Sequence, residues 1–127
     1  MIDRFLCAVL MGLIGNSAFA AGANDVQRGR IAFLRCAACH TIQADEPGKV
    51  GPNLRGTLGK AAAQLPGFAY SEALRKAGLT WDDATLTRWI RDPASVVPGT
   101  AMTYANTLTD AEIQALVVFL KSQAAAR

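Results

Sequence analysis

Cys36, Ala37, Ala38, Cys39 and His40 follow one another as C-A-A-C-H, and they hold two of the chain's three cysteines and its single histidine. Thiols three residues apart next to an imidazole suit four kinds of chemistry. A redox-active thiol pair is one, but it needs a βαβ setting. A structural zinc site is another, and it needs two further Cys or His ligands to complete a tetrahedron. The chain offers no second histidine, and its remaining cysteine, Cys7, lies in an apolar leader. A plain disulfide between such close neighbours closes a small loop and leaves His40 unexplained. Covalent haem attachment uses all three side chains: each thiol adds across one vinyl group, and the histidine coordinates the iron beside the tether.

A haem held through His40 has a second axial position. Met1 and Met11 lie in the leader, which leaves Met102 as the remaining methionine. Its soft thioether suits low-spin iron and raises the reduction potential relative to a harder or anionic ligand. Met102 lies in an irregular stretch rich in Pro and Gly rather than on an apolar helix face, where a methionine fills core space. That placement favours a ligand.

Four short helices are expected to position these residues. Asn24, with Gln27 three residues on, reads as the cap of a first helix whose apolar side, Val26, Phe33 and Leu34, runs up to Cys36. Ser71 reads as the N-cap of a short helix through Lys76, closed by Gly78. A third runs from Asp82 or Asp83 to Arg91, with Leu86, Trp89 and Ile90 on one face and Pro93 stopping it. The last opens on Thr109 and Glu112 in capping-box spacing, and Ile113, Leu116, Val117 and Leu120 recur at helical intervals. Between Thr41 and Gly67 glycine and proline punctuate the chain every few residues, so a long loop is expected there. Loops of that length in a small domain usually wrap something. No stretch alternates like a strand, and the fold class is all-α.

Residues 1–20 read as an export signal: Arg4, an apolar run from Phe5 to Ile14, then Ala18 and Ala20 before a cut ahead of Ala21. The run is too short to span a bilayer, which takes about 20 apolar residues, so no stable membrane insertion is expected after cleavage. Cys7 sits too early for a lipid attachment point and travels with the signal. Residues 21–127 then form one domain, small enough for a cofactor in its core to aid stability. The leader carries one Arg and one Asp, so its removal keeps the net charge at +3. This mild basicity, without any basic run, excludes a nucleic-acid binder and fits docking on acidic protein surfaces.

C-A-A-C-H, "GPNL" at Gly51 to Leu54, "PGFAYSEAL" at Pro66 to Leu74, Trp81 and "PGTAM" at Pro98 to Met102 occur in order across nearly the whole of residues 21–127. Together they resemble the class I c-type cytochromes of the soluble mitochondrial and bacterial type. The resemblance implies the cytochrome c fold, with long loops wrapped round one haem c. It implies Cys36 and Cys39 as thioether anchors, His40 and Met102 as axial ligands, and the Pro52 carbonyl as acceptor for the His40 Nδ1–H. Tyr70, Ser71 and Trp81 match propionate-binding positions, and Thr100 a hydrogen-bonding position on the methionine side. It also places Gly29 and Phe33 against the last helix near Leu116 and Phe119. Lys60 stands where relatives often carry arginine, Leu74 where asparagine is frequent, and Trp89 where tyrosine often lies, departures expected to make the pocket more apolar.

The function implied is a monomeric periplasmic one-electron carrier, not an enzyme. Its partners would be redox proteins: a quinol:cytochrome c reductase, a terminal oxidase or a dehydrogenase. Arg35, Lys49, Lys60, Lys76, Arg88 and Arg91 are candidates for a basic docking rim, with an ordinary solvated surface as the alternative. Two other functions stay open at this point: an electron-accepting subunit held on a periplasmic dehydrogenase, and a peroxidase or gas sensor with a displaceable Met102.

Overall fold

Ser17 opens the first helix of the computed structural model, which describes residues 17–125. Among these residues the chain forms α1 (Ser17–Ala32), a 3-10 turn (Phe33–Arg35), α2 (Glu72–Lys76), α3 (Asp83–Arg91), α4 (Pro93–Val96) and α5 (Asp110–Ala125). No strand forms there; the one β feature is an isolated antiparallel bridge between Ala61 and Thr80. The fold is all-α, and most of the expected leader lies outside the described residues.

Several boundaries are set by local chemistry. The Ser71 hydroxyl accepts from Leu74 N at the start of α2, and Asp82 accepts from Thr85 N at the start of α3. At α5 the capping box forms in full: Thr109 N donates to Glu112 Oε2 at 2.7 Å, and Glu112 N donates to Thr109 Oγ1 at 3.3 Å.

Other boundaries differ from expectation. Asn24 caps nothing: α1 starts seven residues earlier, because Ala18, Ala20, Ala21 and Ala23 favour helix strongly enough to carry it past the asparagine. Leu34 is 69% exposed rather than part of the apolar side. The backbone tightens to a 3-10 turn at Phe33–Arg35, and three residues per turn instead of 3.6 swing Leu34 away from the stripe. Pro93 does more than stop α3. It opens α4 at N1, where a missing N–H costs nothing, and Asp92 caps it by accepting from Ser95 N. There are thus five α-helices among the described residues rather than four, and α1 and α5, at 16 residues each, are not short.

α1 and α5 form the main helix pair. They cross at Gly29, where a Cβ would lie 2.0 Å from the Ala115 carbonyl oxygen and 2.5 Å from Phe119 Cβ. Beside it the rings of Phe33 and Phe119 stack at a tilt, centroids 5.7 Å apart. α5 sends fully buried Ile113 and Leu116 into the core, and α3 adds Leu86, Trp89 and Ile90. An ion pair from Lys121 to Asp83 and one from Arg91 to Asp110 tie α3 to α5 at the surface. This helical frame leaves residues 36–70 and 97–108 as loops, and the site lies between them and the core.

Candidate haem site

The 3-10 turn leads straight into the C-A-A-C-H stretch. Cys36 N and Ala37 N both donate to Phe33 O, and His40 N donates to Cys36 O at 2.9 Å. That last bond closes one further helical turn, so Cys36, Cys39 and His40 stand at i, i+3 and i+4, spacings that share a face. The two thiols are unpaired. Burial pushes the Cys36 thiol up to about 11, and the Cys39 thiol beside it adds to the shift. A reactive redox thiol needs the opposite shift, and no βαβ unit forms among the described residues, so the thioredoxin-like reading is disfavoured.

His40 is buried, and burial lowers its pKa despite an opposing hydrogen bond to Pro52. Its Nδ1 lies 2.8 Å from the Pro52 carbonyl oxygen. A carbonyl only accepts, so Nδ1 carries the proton and Nε2 keeps its lone pair, the tautomer a metal ligand needs. The loop that delivers Pro52 is tied to the cysteine turn at several points. Gly51 N donates to Cys39 O at 2.8 Å and Leu54 N to Thr41 O at 2.9 Å, while Lys49 Nζ donates to Ala37 O at 3.1 Å. Gly51 presses directly on the imidazole: a Cβ there would fall 2.3 Å from His40 Cε1.

On the loop before α5, Thr100 Oγ1 accepts from Met102 N at 3.3 Å. Trp89 Nε1–H donates to Met102 Sδ at 3.1 Å. This bond corrects one expectation, since Trp89 is a polar donor in the pocket and not a purely apolar replacement. Leu74 does line the pocket with hydrocarbon, and Lys60 stands at its edge beside Gly56.

All of Cys36, Cys39, His40, Pro52, Tyr70, Ser71, Trp81, Thr100 and Met102 line one cavity of about 400 Å³, large enough for a sizeable cofactor. Tyr70 is half-buried, its ring edge-on to Phe68 at 4.8 Å; burial raises its pKa, and a backbone hydrogen bond with Leu65 opposes the shift. The Ser71 oxygen is used as a cap acceptor, which leaves its O–H free to donate. Trp81 follows the isolated Ala61–Thr80 bridge, its backbone N–H donating to Lys60 O at 2.9 Å.

Thiols three apart on a turn, a neutral buried imidazole with a free Nε2 and a thioether, all on one cavity, are the donors that a covalently tethered haem would need. The residues present fit that group. Trp89, Gly51 and Lys49 also shape the site, and spacing in the sequence does not disclose them. Their partners lie 11 to 13 residues away across loops, where no periodic signal connects them.

The basic rim is smaller than the sequence suggests. Lys76 pairs with Glu72 at 2.5 Å and Arg91 with Asp110 at 2.8 Å. Arg35 and Lys60 line the cavity itself, and Lys49 adjoins it while holding Ala37 O.

Comparison with known proteins identifies the family. A family model described as Cytochrome c matches residues 26–124. Cytochrome c2 iso-2 of Magnetospirillum fulvum is 44% identical over 91 residues, 72% of this chain and 94% of the relative. Cytochrome c2 of Blastochloris viridis is 34% identical over 109 residues, 86% of each chain. Among solved structures, cytochrome cH from Methylobacterium extorquens superposes with a TM-score of 0.72 at 39% identity, covering 77% of this chain and 98% of that one.

Proposed function

From the premise that the chain belongs to the cytochrome c family, we propose that His40 Nε2 and Met102 Sδ are the axial ligands of its haem. The chain is a monohaem c-type cytochrome that carries single electrons, with haem c covalently bound through Cys36 and Cys39. The observation that carries the ligand reading is the convergence of His40 and Met102 on one cavity, each side chain fixed by a hydrogen bond, His40 to Pro52 O and Met102 from Trp89.

The bound haem supplies a ferric/ferrous couple. The chain's own residues do the rest. Pro52 O holds the Nδ1 proton of His40 and aims Nε2 inward, which raises the basicity of the ring. Thr100 and Trp89 fix Met102 from the backbone and the sulfur side. With both axial donors anchored in a packed core, the site changes little between oxidation states, which favours fast outer-sphere transfer. It also leaves no open position for peroxide or a diatomic ligand, so a carrier role is favoured over an enzyme or sensor role. Tyr70, Ser71, Trp81 and Lys60 offer donors or charge to propionates at the cavity wall.

Residues 1–20 act in this reading as the export signal, and the expected cut ahead of Ala21 falls within α1 of the uncleaved chain. No helix among the described residues is long and apolar enough to cross a membrane. The mature chain works in the periplasm as a monomer, exchanging electrons with redox proteins such as a quinol:cytochrome c reductase, a terminal oxidase or a dehydrogenase. Arg35, Lys49 and Lys60 lie where an acidic partner surface would meet the cavity mouth.

Redox-poised absorption spectra of wild type and Met102→Ala test the ligand assignment. The oxidised wild type is expected to show a methionine-to-iron charge-transfer band that the variant lacks. A wild type without the band would overturn the assignment.

A further inference from the structure

Between Thr100 and α5 the chain forms neither helix nor strand, and among the described residues no backbone-to-backbone hydrogen bond engages residues 101–108. The segment that carries Met102 is therefore held by side chains. Before the methionine, Thr100 Oγ1 accepts from Met102 N at 3.3 Å. After it, three bonds converge on Asn106. Its Oδ1 accepts from Leu108 N at 2.9 Å and from the Tyr104 hydroxyl at 3.3 Å, and its Nδ2 donates to Leu108 O at 3.1 Å.

The two ends of this clasp differ in kind. Leu108 is buried, and Thr109 beside it opens the capping box of α5, so that end belongs to the helical frame. Tyr104, two residues after Met102, lines the haem cavity. Its hydroxyl makes a further backbone hydrogen bond with Thr107 and lies within electrostatic reach of Cys36 and Arg35. One planar amide thus joins the moving part of the loop to the fixed start of a helix.

We infer that Asn106 is a positioning residue for Met102: its amide clasps Leu108 and the Tyr104 hydroxyl, and so keeps the thioether on the iron against competing ligands. The inference rests on the reading of Met102 as an axial ligand. Leu108 presents an N–H and a carbonyl, which only a side chain with an acceptor and a donor in one plane can meet together. Aspartate would keep the two accepted bonds and turn the third into a contact between two acceptors. Alanine would lose all three.

Met102 leaves the iron only if residues 103–107 change direction, and the clasp resists that change. A competing ligand binds only where the methionine has left, so its apparent affinity scales with the fraction of molecules whose loop is open. A hydrogen bond of ordinary net strength shifts such an equilibrium about fivefold.

Imidazole binding to the ferric holo-protein is the test, followed by absorption in wild type, N106A, N106D, Y104F and the Y104F/N106A double variant. N106A is expected to bind imidazole about 10–100-fold more tightly, and Y104F about fivefold. N106D should fall between wild type and N106A. In the N106A background Y104F should add less than it does alone, because the bond it removes is already gone. G29A, altered at the helix crossing, is the control for stability: its melting temperature should fall while its imidazole affinity stays at the wild-type value. Wild-type affinity in N106A would overturn the inference, and so would a G29A protein that gains as much affinity as N106A. If oxidised wild type lacks the methionine-to-iron charge-transfer band, the ligand assignment itself has failed, a result distinct from either. Should N106A fail to fold, Y104F and N106D, which each keep two of the three bonds, decide: wild-type imidazole affinity in both would overturn the role of Asn106.

Discussion

At the scale of single residues, the imidazole of His40 is confined by the absence of a side chain. A Cβ on Gly51 would lie 2.3 Å from Cε1, 2.6 Å from Nδ1 and 2.8 Å from Nε2 of His40. Gly51 is therefore a matter of space, and its backbone is equally committed, since its N–H donates to Cys39 O. Neither the glycine nor the ring can step aside alone. We expect Gly51→Ala to push the imidazole off the Pro52 carbonyl and to destabilise the holo-protein by about 1–3 kcal/mol, the usual range for overpacking. Thermal unfolding reads the cost, and the NMR signal of the His40 Nδ1 proton reads the broken bond. Pro52→Ala is the control: it keeps the acceptor carbonyl, so the Nδ1 signal should survive. An unchanged melting temperature and proton signal in the glycine variant would show that the ring has room this structure does not reveal.

At the scale of elements, the crossing of α1 and α5 depends on Gly29. The atom a Cβ would meet at 2.0 Å is a backbone oxygen, Ala115 O, and no rotamer change relieves that contact. Gly29→Ala is expected to force the helices apart at a cost of about 3 kcal/mol, beyond the roughly 1 kcal/mol that alanine gains in helix propensity. A melting temperature lower by on the order of 10 °C is the expected reading. The caps of α3 and α5 carry a pH dependence. Hydrogen bonds from Thr85 hold the Asp82 carboxyl below its ordinary value of 3.8, and those from Thr109 hold Glu112 below 4.5. Depressed folded-state pKa values mean the caps contribute fully above those ordinary values. Their contribution is lost as pH falls through the lower folded-state values. Asp82→Asn and Glu112→Gln should each flatten the acid limb of stability against pH, and an acid limb identical to wild type would refute the assignment. These same caps explain why α2, α3 and α5 were legible in the sequence: each is a side chain meeting a backbone group three residues away. The start of α1 was hidden because an alanine-rich stretch needs no cap to be helical. The single turn of α4 was hidden because a proline after a helix reads as a stop.

At the scale of the whole molecule, what the sequence disclosed of the site follows the same division. Cys36, Cys39 and His40 are contiguous, and Met102 stands out by subtraction, so a candidate donor set could be proposed from the sequence. The bond from Trp89 to Met102 and the wall that Gly51 makes for His40 exist only once loops have closed on the core, and residue types alone do not announce them. The closure itself raises the question of what holds these loops in place. Residues 41–70 contain no helix. They surround, with Trp89, Leu116 and Leu120, a cavity of about 400 Å³. Were a void of that size enclosed and left unfilled, it would cost on the order of 10 kcal/mol at about 24 cal/mol per Å³, an upper bound for a cleft that opens to solvent. That is comparable to the whole stability of a domain this small, about 5–15 kcal/mol. The haem is therefore a structural member of the core, and the covalent tether makes its loss impossible short of breaking a bond. We expect the Cys36→Ser/Cys39→Ser chain, purified without haem, to show far less helix by circular dichroism than the holo-protein and no cooperative thermal transition. α1 and α5 should fail together, because they pack against each other and α5 sends Leu116 into the same cavity. Either single variant, still held by one thioether, should fold and melt cooperatively at a reduced temperature. A haem-free double variant with full helix content and a sharp transition would mean that the loops pack on the core by themselves and that the cavity collapses when nothing fills it.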